Sequence, residues 1–140
     1  VIPQRVTDSL LDWLTQTRLK PVMVLHANHG NELDHEVKEA FQKIATNGVT
    51  LLNQSVLLAG VNDNFPALVE LSHKLFDHNV LPYYLHLLDP VTGAKHFDVP
   101  ASRGTELVAQ MRATLPGYLV PRLVREEAGA GAKTGVAFAT

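Results

Sequence analysis

Residues 49–58 read VTLLNQSVLL, in which two short apolar runs, Val49–Leu52 and Val56–Leu58, follow Asn47-Gly48. Two comparable runs, Pro21–Leu25 and Val80–Leu88, lie before and after it along the chain. Solid apolar runs of this length are typical of strands that are buried on both faces of a sheet. A fourth strand is expected over Tyr118–Val124, which gives the chain four strand candidates.

Helical periods separate these apolar runs. We expect helices near residues 8–18, 32–46, 65–78 and 102–115. Thr7, Asn64 and Ser102 are expected to cap their amino termini, because short polar side chains accept hydrogen bonds from the first free N–H groups. Strand and helix therefore alternate, which is the order of parallel α/β proteins with right-handed crossover helices.

Polar side chains gather where the expected strands end. The positions concerned are His26, Asn28, His29, Asn53, Gln54, Asn62, Asp63, His86 and Asp89. Ligands of β/α barrels and of open parallel sheets bind at the carboxyl ends of the strands. Four strands cannot close a barrel, so we expect the C-terminal half of a partial (β/α) barrel. A self-standing flavodoxin-like binding module is the alternative.

Composition narrows the class of protein. The chain has 140 residues, 46% of them hydrophobic, and a formal net charge of −2, which gives no reason to expect a nucleic-acid or membrane partner. It contains no cysteine, which excludes disulfides and iron–sulfur ligands within these residues. We expect a cytoplasmic location. Because the sequence opens at Val1 without methionine, we expect a part of a longer protein.

Three groups of polar residues near the strand ends allow two interpretations each. His26 and His29, with Asp34 and His35 nearby, could hold a metal ion or form a hydrogen-bonded loop. Gln54 lies in an apolar run, where a buried amide needs either main-chain partners or a polar ligand. Asp89 precedes a proline, as is common in turns, but it also stands where it could bind an ammonium group.

The segment at residues 125–134 reads REEAGAGAKT. A phosphate-binding loop of the G-x-x-x-x-G-K-[ST] type needs glycine where Glu127 and Ala132 stand, so that interpretation fails. Either the segment is a solvated linker, or it presents Lys133 on a glycine-rich loop so that its amine can form a Schiff base.

Several collinear stretches together resemble the lysine 2,3-aminomutases, from residue 2 to about 134. They are residues 2–7, 26–32, 48–58, 60–63, 82–89, 96–97, 117–121 and the approach to Lys133. Within that family, residues 81–86, 93–94 and 118–123 look most like the bacterial branch that makes (R)-β-lysine for the modification of elongation factor P. The fermentative branch is the alternative.

The resemblance implies a radical SAM isomerase that shifts an amino group of L-lysine from C2 to C3. It implies three cofactors, which are S-adenosylmethionine, pyridoxal phosphate and a [4Fe–4S] cluster. By the same resemblance, Lys133 holds pyridoxal phosphate and acts in catalysis, and His26 and Gln54 bind S-adenosylmethionine. Asp89 and Glu126 would bind the substrate.

The sequence departs from the family pattern in three ways. Glu126 stands where the fermentative enzymes carry an aspartate, and Asn64 stands where they carry a zinc-binding cysteine, so we expect no metal site in this chain. The three-cysteine cluster motif is absent from these residues, and the chain alone is expected to be inactive. We expect residues 1–125 to be the second half of the barrel and 126–140 a lysine-bearing loop and tail. Homo-oligomer formation is left open.

Overall fold

The computed structural model describes residues 2–16, 18–88, 95–125 and 134–136. Within these ranges five strands form one sheet in sequential order, β1 to β5. Their bounds are Val22–His26 for β1, Thr50–Leu57 for β2, Val80–Leu87 for β3, Arg122–Arg125 for β4 and Thr134–Gly135 for β5. The first four strands are parallel, and the short β5 pairs antiparallel with β4.

Four α-helices alternate with the parallel strands. They are α1 (Asp8–Gln16), α2 (His35–Thr46), α3 (Phe65–Asp77) and α4 (Ala101–Thr114). None of the helices in the described ranges has the length and apolarity needed to cross a membrane. The order of these helices and strands along the chain confirms the expected strand–helix alternation.

The amino termini of α1 and α3 confirm the caps expected at Thr7 and Asn64. The Thr7 hydroxyl accepts a hydrogen bond from Leu10 N–H at 3.2 Å, and Asn64 Oδ1 accepts one from Ala67 N–H at 2.9 Å. At the end of α2, Asn47 is the C-cap and Gly48 has φ +80°, a conformation that glycine adopts without strain.

Some expected boundaries were wrong. Ser102 does not cap α4, which begins at Ala101 directly after Pro100; the φ of −58° at this proline already suits a helix start. Residues 117–119 form a 3₁₀ turn, so β4 starts only at Arg122. Another 3₁₀ turn, Gly30–Glu32, precedes α2, whose N-cap is Asp34. The antiparallel β5 was not expected.

The helices cover one face of the sheet. A first core cluster joins Phe41 and Ile44 of α2 to Leu71 and Leu75 of α3 over Leu51 of β2. A second cluster joins α3 and α4 to the middle of the sheet; its buried members include Leu57, Leu68, Leu85, Leu107, Met111 and Leu123. In β2 this packing buries every second residue, Leu51, Asn53, Ser55 and Leu57, as the two-residue period of a strand requires.

The opposite face, which we call the open face, is covered by no helix among the described residues. Its apolar side chains remain partly in solvent: Val22 is 56% exposed, Val24 38% and Leu81 36%. β1 also has a strand partner on one side only within the described part of the chain. A flavodoxin-like sheet has strand order 2-1-3-4-5 and helices on both faces. The sequential order and one-sided helix layer are instead those of a barrel wall, as expected.

Candidate functional site

Four polar side chains lie in one row across the open face. The strand register pairs His26 of β1 with Gln54 of β2, Gln54 with Tyr84 of β3, and Tyr84 with Arg122 of β4. Residues in register on neighbouring strands point to the same side of a sheet. We call His26, Gln54, Tyr84 and Arg122 the polar row.

A bulge in β3 places Tyr84 in this row. Asn53 pairs with Pro82, but Gln54 pairs with Tyr84, so Tyr83 is an extra residue in the strand. Proline has no N–H to donate to the ladder and is tolerated in a sheet mainly at such irregularities. The extra residue reverses the in-and-out alternation, which is why Val80 and Leu85 both face the helices.

The centre of the open face is held by hydrogen bonds and ring contacts. His86 Nε2 lies 3.2 Å from Gln54 Oε1, so the imidazole donates this hydrogen bond when Nε2 carries the proton. The rings of Tyr84 and His86 meet edge to face at 5.7 Å. The Tyr83 hydroxyl donates to the Tyr84 hydroxyl at 3.2 Å, and this bond raises the pKa of Tyr83 above its usual value.

Apolar side chains form the layer next to the polar row. Val24, Leu52 and Leu81 lie one strand repeat toward the amino ends of β1, β2 and β3. Layers of side chains stacked in this way fill the interior of β/α barrels. An apolar floor below amide, imidazole, phenol and guanidinium groups can hold a polar ligand and exclude water beneath it.

The structure brings two of the five residues assigned by resemblance into this site. His26 is the last residue of β1, and Gln54 is its register partner, although Gln54 lies within β2 rather than at its end. Asp89, Glu126 and Lys133 lie outside the described residues. In sequence, Asp89 follows the last residue of β3, Leu87, by two positions.

The loop after β1 uses its polar residues for hydrogen bonds. His29 Nδ1 accepts from Asn31 N–H at 3.1 Å, and Asp34 Oδ1 accepts from Val37 N–H at 2.9 Å as the cap of α2. His35 pairs with Glu39 in solvent. In the described ranges no three His, Cys, Asp or Glu side chains are grouped as metal ligands. These contacts are the ones that the hydrogen-bonded interpretation of the loop requires.

Three residues of the site were not assigned a role from the sequence. His86 stood among the polar residues near strand ends, but no pattern linked it to Gln54. Tyr84 was hidden by the bulge, because simple alternation from Val80 places it on the helix side. Arg122 fell inside a segment expected to be strand throughout, although the strand begins only there. Pro82 was the one signal of an irregular strand.

Comparison with known proteins identifies relatives of this chain. No family model matches the chain. Proteins named L-lysine 2,3-aminomutase match it at 52% identity in Haemophilus influenzae, 46% in Escherichia coli and 42% in Clostridium subterminale. These matches cover 96%, 96% and 97% of this chain. The chain spans 40%, 39% and 32% of the length of these relatives.

A solved structure supports the fold. The crystal structure of a radical SAM methyltransferase from Sphaerobacter thermophilus superposes with a TM-score of 0.55 at 20% sequence identity. The match covers 84% of this chain and 37% of that one. This chain is therefore homologous, over nearly its whole length, to the L-lysine 2,3-aminomutases, on a fold of the radical SAM type.

Proposed function

We propose that this chain is the carboxyl-terminal part of an enzyme that isomerises L-lysine to β-lysine with S-adenosylmethionine, pyridoxal phosphate and a [4Fe–4S] cluster. The observation that carries the proposal is the register pairing of His26 with Gln54 on the open face of a half barrel. The identity of 39–52% to lysine 2,3-aminomutases supports it. The cluster ligands would lie outside these residues, because the sequence has no cysteine.

The polar row suits S-adenosylmethionine, because its adenine, ribose and amino-acid groups all form hydrogen bonds. Gln54 and His26 offer an amide and an imidazole side by side, and the amide oxygen of Gln54 is already oriented by His86. The apolar layer below them would keep water from the ligand and so strengthen these hydrogen bonds. We assign His26 and Gln54 to holding this cofactor.

The remaining roles rest on the resemblance. Asp89 would bind the side-chain ammonium of lysine through a charge-assisted hydrogen bond, and Glu126 would add a second negative charge. Lys133 would hold pyridoxal phosphate. The cofactors supply the radical and the electron delocalisation that an amino shift needs, and the residues of this chain bind and orient them and the substrate.

Two finer assignments belong to the same proposal. The motif resemblance favours the branch that supplies (R)-β-lysine to elongation factor P, and such an enzyme would work in the cytoplasm with the translation machinery. The fermentative enzyme remains the alternative. Chiral analysis of the β-lysine formed separates the two, because the R enantiomer is expected only from the first.

The test uses the full-length protein from the complete reading frame, purified without oxygen and supplied with L-lysine, the cofactors and a reductant. We expect β-lysine to form. Asp89→Asn keeps the shape of the side chain but removes its charge, and we expect kcat/KM for lysine to fall about 100-fold or more, the effect of leaving a buried cation unpaired. Iron content should be unchanged.

Asp98→Asn is the matched control, since Asp98 is exposed and belongs to the same connection between β3 and α4. We expect this variant to retain the parent's activity. The proposal fails if the parent forms no β-lysine, and the role of Asp89 fails if Asp89→Asn is as active as Asp98→Asn.

A further inference from the structure

Three asparagine side chains join the segments that follow His26 and Gln54, and we propose that they position these two residues for binding S-adenosylmethionine. We call Asn28, Asn53 and Asn62 the asparagine bridge. The inference rests on the proposed function, because it concerns the same ligand. None of the three asparagines lies in the polar row, so their effect on a ligand would be exerted through the residues that they hold.

Asn53 holds the residue that directly follows His26. Its side chain lies on the helix side of β2 and is 1% exposed. Asn53 Oδ1 accepts a hydrogen bond from Ala27 N–H at 2.9 Å, and its Nδ2 donates to the Ala27 carbonyl at 3.0 Å. One amide side chain thus satisfies both main-chain groups of Ala27, which is itself buried.

Asn28 and Asn62 hold the continuation of β2 beyond Gln54. Asn28 Oδ1 accepts from Val56 N–H at 2.9 Å. Asn62, which is fully buried, donates from Nδ2 to the carbonyls of Asn28 and Val56 at 2.8 and 2.9 Å. Its Oδ1 accepts from Leu58 N–H at 2.8 Å. Both N–H bonds of this amide and its oxygen are therefore used inside the protein.

These contacts replace the strand ladder where it ends. The register between β1 and β2 ends at the pair His26 and Gln54. Beyond this pair the segments that follow β1 and β2 separate. Their buried main-chain groups would lose their hydrogen-bond partners if no side chain replaced the ladder. Asparagine supplies two N–H donors and an acceptor oxygen on one short side chain, whereas ionised aspartate only accepts and serine has a single O–H to donate.

The loop after β1 is also tied from its other side. Glu32 Oε2 accepts hydrogen bonds from the N–H groups of Asn28 and His29, at 2.6 and 3.0 Å. The segment that starts at His26 is therefore fixed within a few residues by side chains of β2, of the β2–α3 loop and of its own 3₁₀ turn. Such second contacts keep a ligand-binding side chain in one orientation.

The test compares two Asn→Asp variants in the full-length protein with its cofactors. Asn62→Asp keeps the acceptor for Leu58 N–H and nearly the same volume, but replaces the NH₂ group that donates to two carbonyls. Asn47→Asp is the matched control. Asn47 Nδ2 donates to the Lys43 carbonyl at 2.6 Å at the exposed end of α2, three residues before the amino end of β2. The Kd for S-adenosylmethionine and the KM for lysine are measured for each variant.

We expect Asn62→Asp to raise the Kd for S-adenosylmethionine about tenfold or more, because the loss of two hydrogen bonds frees Gln54 and His26 to move. The KM for lysine should change less than about twofold, and Asn47→Asp should match the parent in both. If Asn62→Asp lowers the thermal midpoint so far that it does not fold, Asn53→Asp takes its place, since it loses one donor only.

Three results would overturn the inference. One is an unchanged Kd for S-adenosylmethionine in a folded bridge variant, and another is an equal weakening of both ligands, which would indicate general loosening. The third is a parent that does not bind S-adenosylmethionine. A parent that binds S-adenosylmethionine but forms no β-lysine refutes the proposed function only, because the comparison of dissociation constants still decides the role of the bridge.

Discussion

Gln54 lies between Leu52 and Val56 on the open face, and its side chain receives a hydrogen bond from His86 at 3.2 Å. An amide in such surroundings is costly unless both its donor and acceptor are used. The other members of the polar row, His26, Tyr84 and Arg122, also present hydrogen-bonding groups beside the apolar layer, and His26 and Arg122 are exposed. At the scale of single residues, the open face is therefore arranged for a ligand with several polar groups, rather than for another apolar surface.

Lys133 carries the most direct residue-scale prediction. A free lysine has a pKa of ~10.4 and is mostly protonated at neutral pH, so it is a poor nucleophile. A desolvated site beside other cations favours the neutral amine, and the small residues before Lys133 allow close approach of the backbone to a phosphate. We expect borohydride to fix pyridoxal phosphate on Lys133 in the full-length protein, as located by peptide mapping.

The matched variants are Lys133→Arg and Lys95→Arg. The first should abolish the visible absorbance of the protein-bound cofactor, and the second should leave it intact. Recovery of the reduced cofactor on Lys95, or on any lysine other than Lys133, would refute this assignment.

At the scale of elements, α4 approaches the sheet at Gly104. A Cβ atom added there would lie 3.2 Å from methyl groups of both Leu87 and Leu123. We expect Gly104→Val to lower the free energy of unfolding by about 1–3 kcal/mol, because the added methyls overpack this contact. Valine has a higher helix propensity than glycine, but this difference offsets less than about 1 kcal/mol of the cost. Urea unfolding at fixed pH measures the change.

Ala109→Val is the control for this prediction, because Ala109 lies on the exposed face of the same helix. It adds the same β-branched side chain and should cost less than about 1 kcal/mol through propensity alone. Equal stability of the two variants would show that α4 can move away from Leu87 and Leu123 without cost.

The elements also show what sequence patterns can and cannot predict. Apolar periodicity located the four parallel strands and four helices, because burial against one helix layer leaves a strong pattern. The bulge at Tyr83 and the short strand β5 left no such pattern, since both depend on pairing with a distant strand. The sequence pattern wrongly predicted Ser102 as the cap of α4, because Pro100 precedes the helix and provides no side-chain cap.

The residues of the candidate site could also be predicted only in part from the sequence. Family resemblance predicted His26 and Gln54 as site residues, and they lie side by side in the structure. Tyr84 and Arg122 could be placed in the same row only from the strand register. The asparagine bridge also required it, because Asn28 and Asn62 are separated by 34 positions and meet only where β1 and β2 diverge.

At the scale of the whole molecule, the sheet is half covered. The helices bury one face, while the open face and the free edge of β1 show Val22 and Val24 to solvent in the described part of the chain. Unpaired strand edges with apolar neighbours pair readily with other chains. In the proposed full-length enzyme, this edge would meet the preceding strand of the barrel.

We therefore expect the isolated 140-residue chain to self-associate through β1. Val22→Lys combined with Val24→Lys should shift it toward monomer, because lysine on an edge strand disfavours pairing with a second edge. Sedimentation velocity over a wide concentration range measures the change. Trp13→Lys is the control, since Trp13 is 72% exposed but lies on α1, away from the open face. If Trp13→Lys dissociates the chain as well as the double variant does, association runs through the helix layer, and the free edge of β1 is not what recruits a partner.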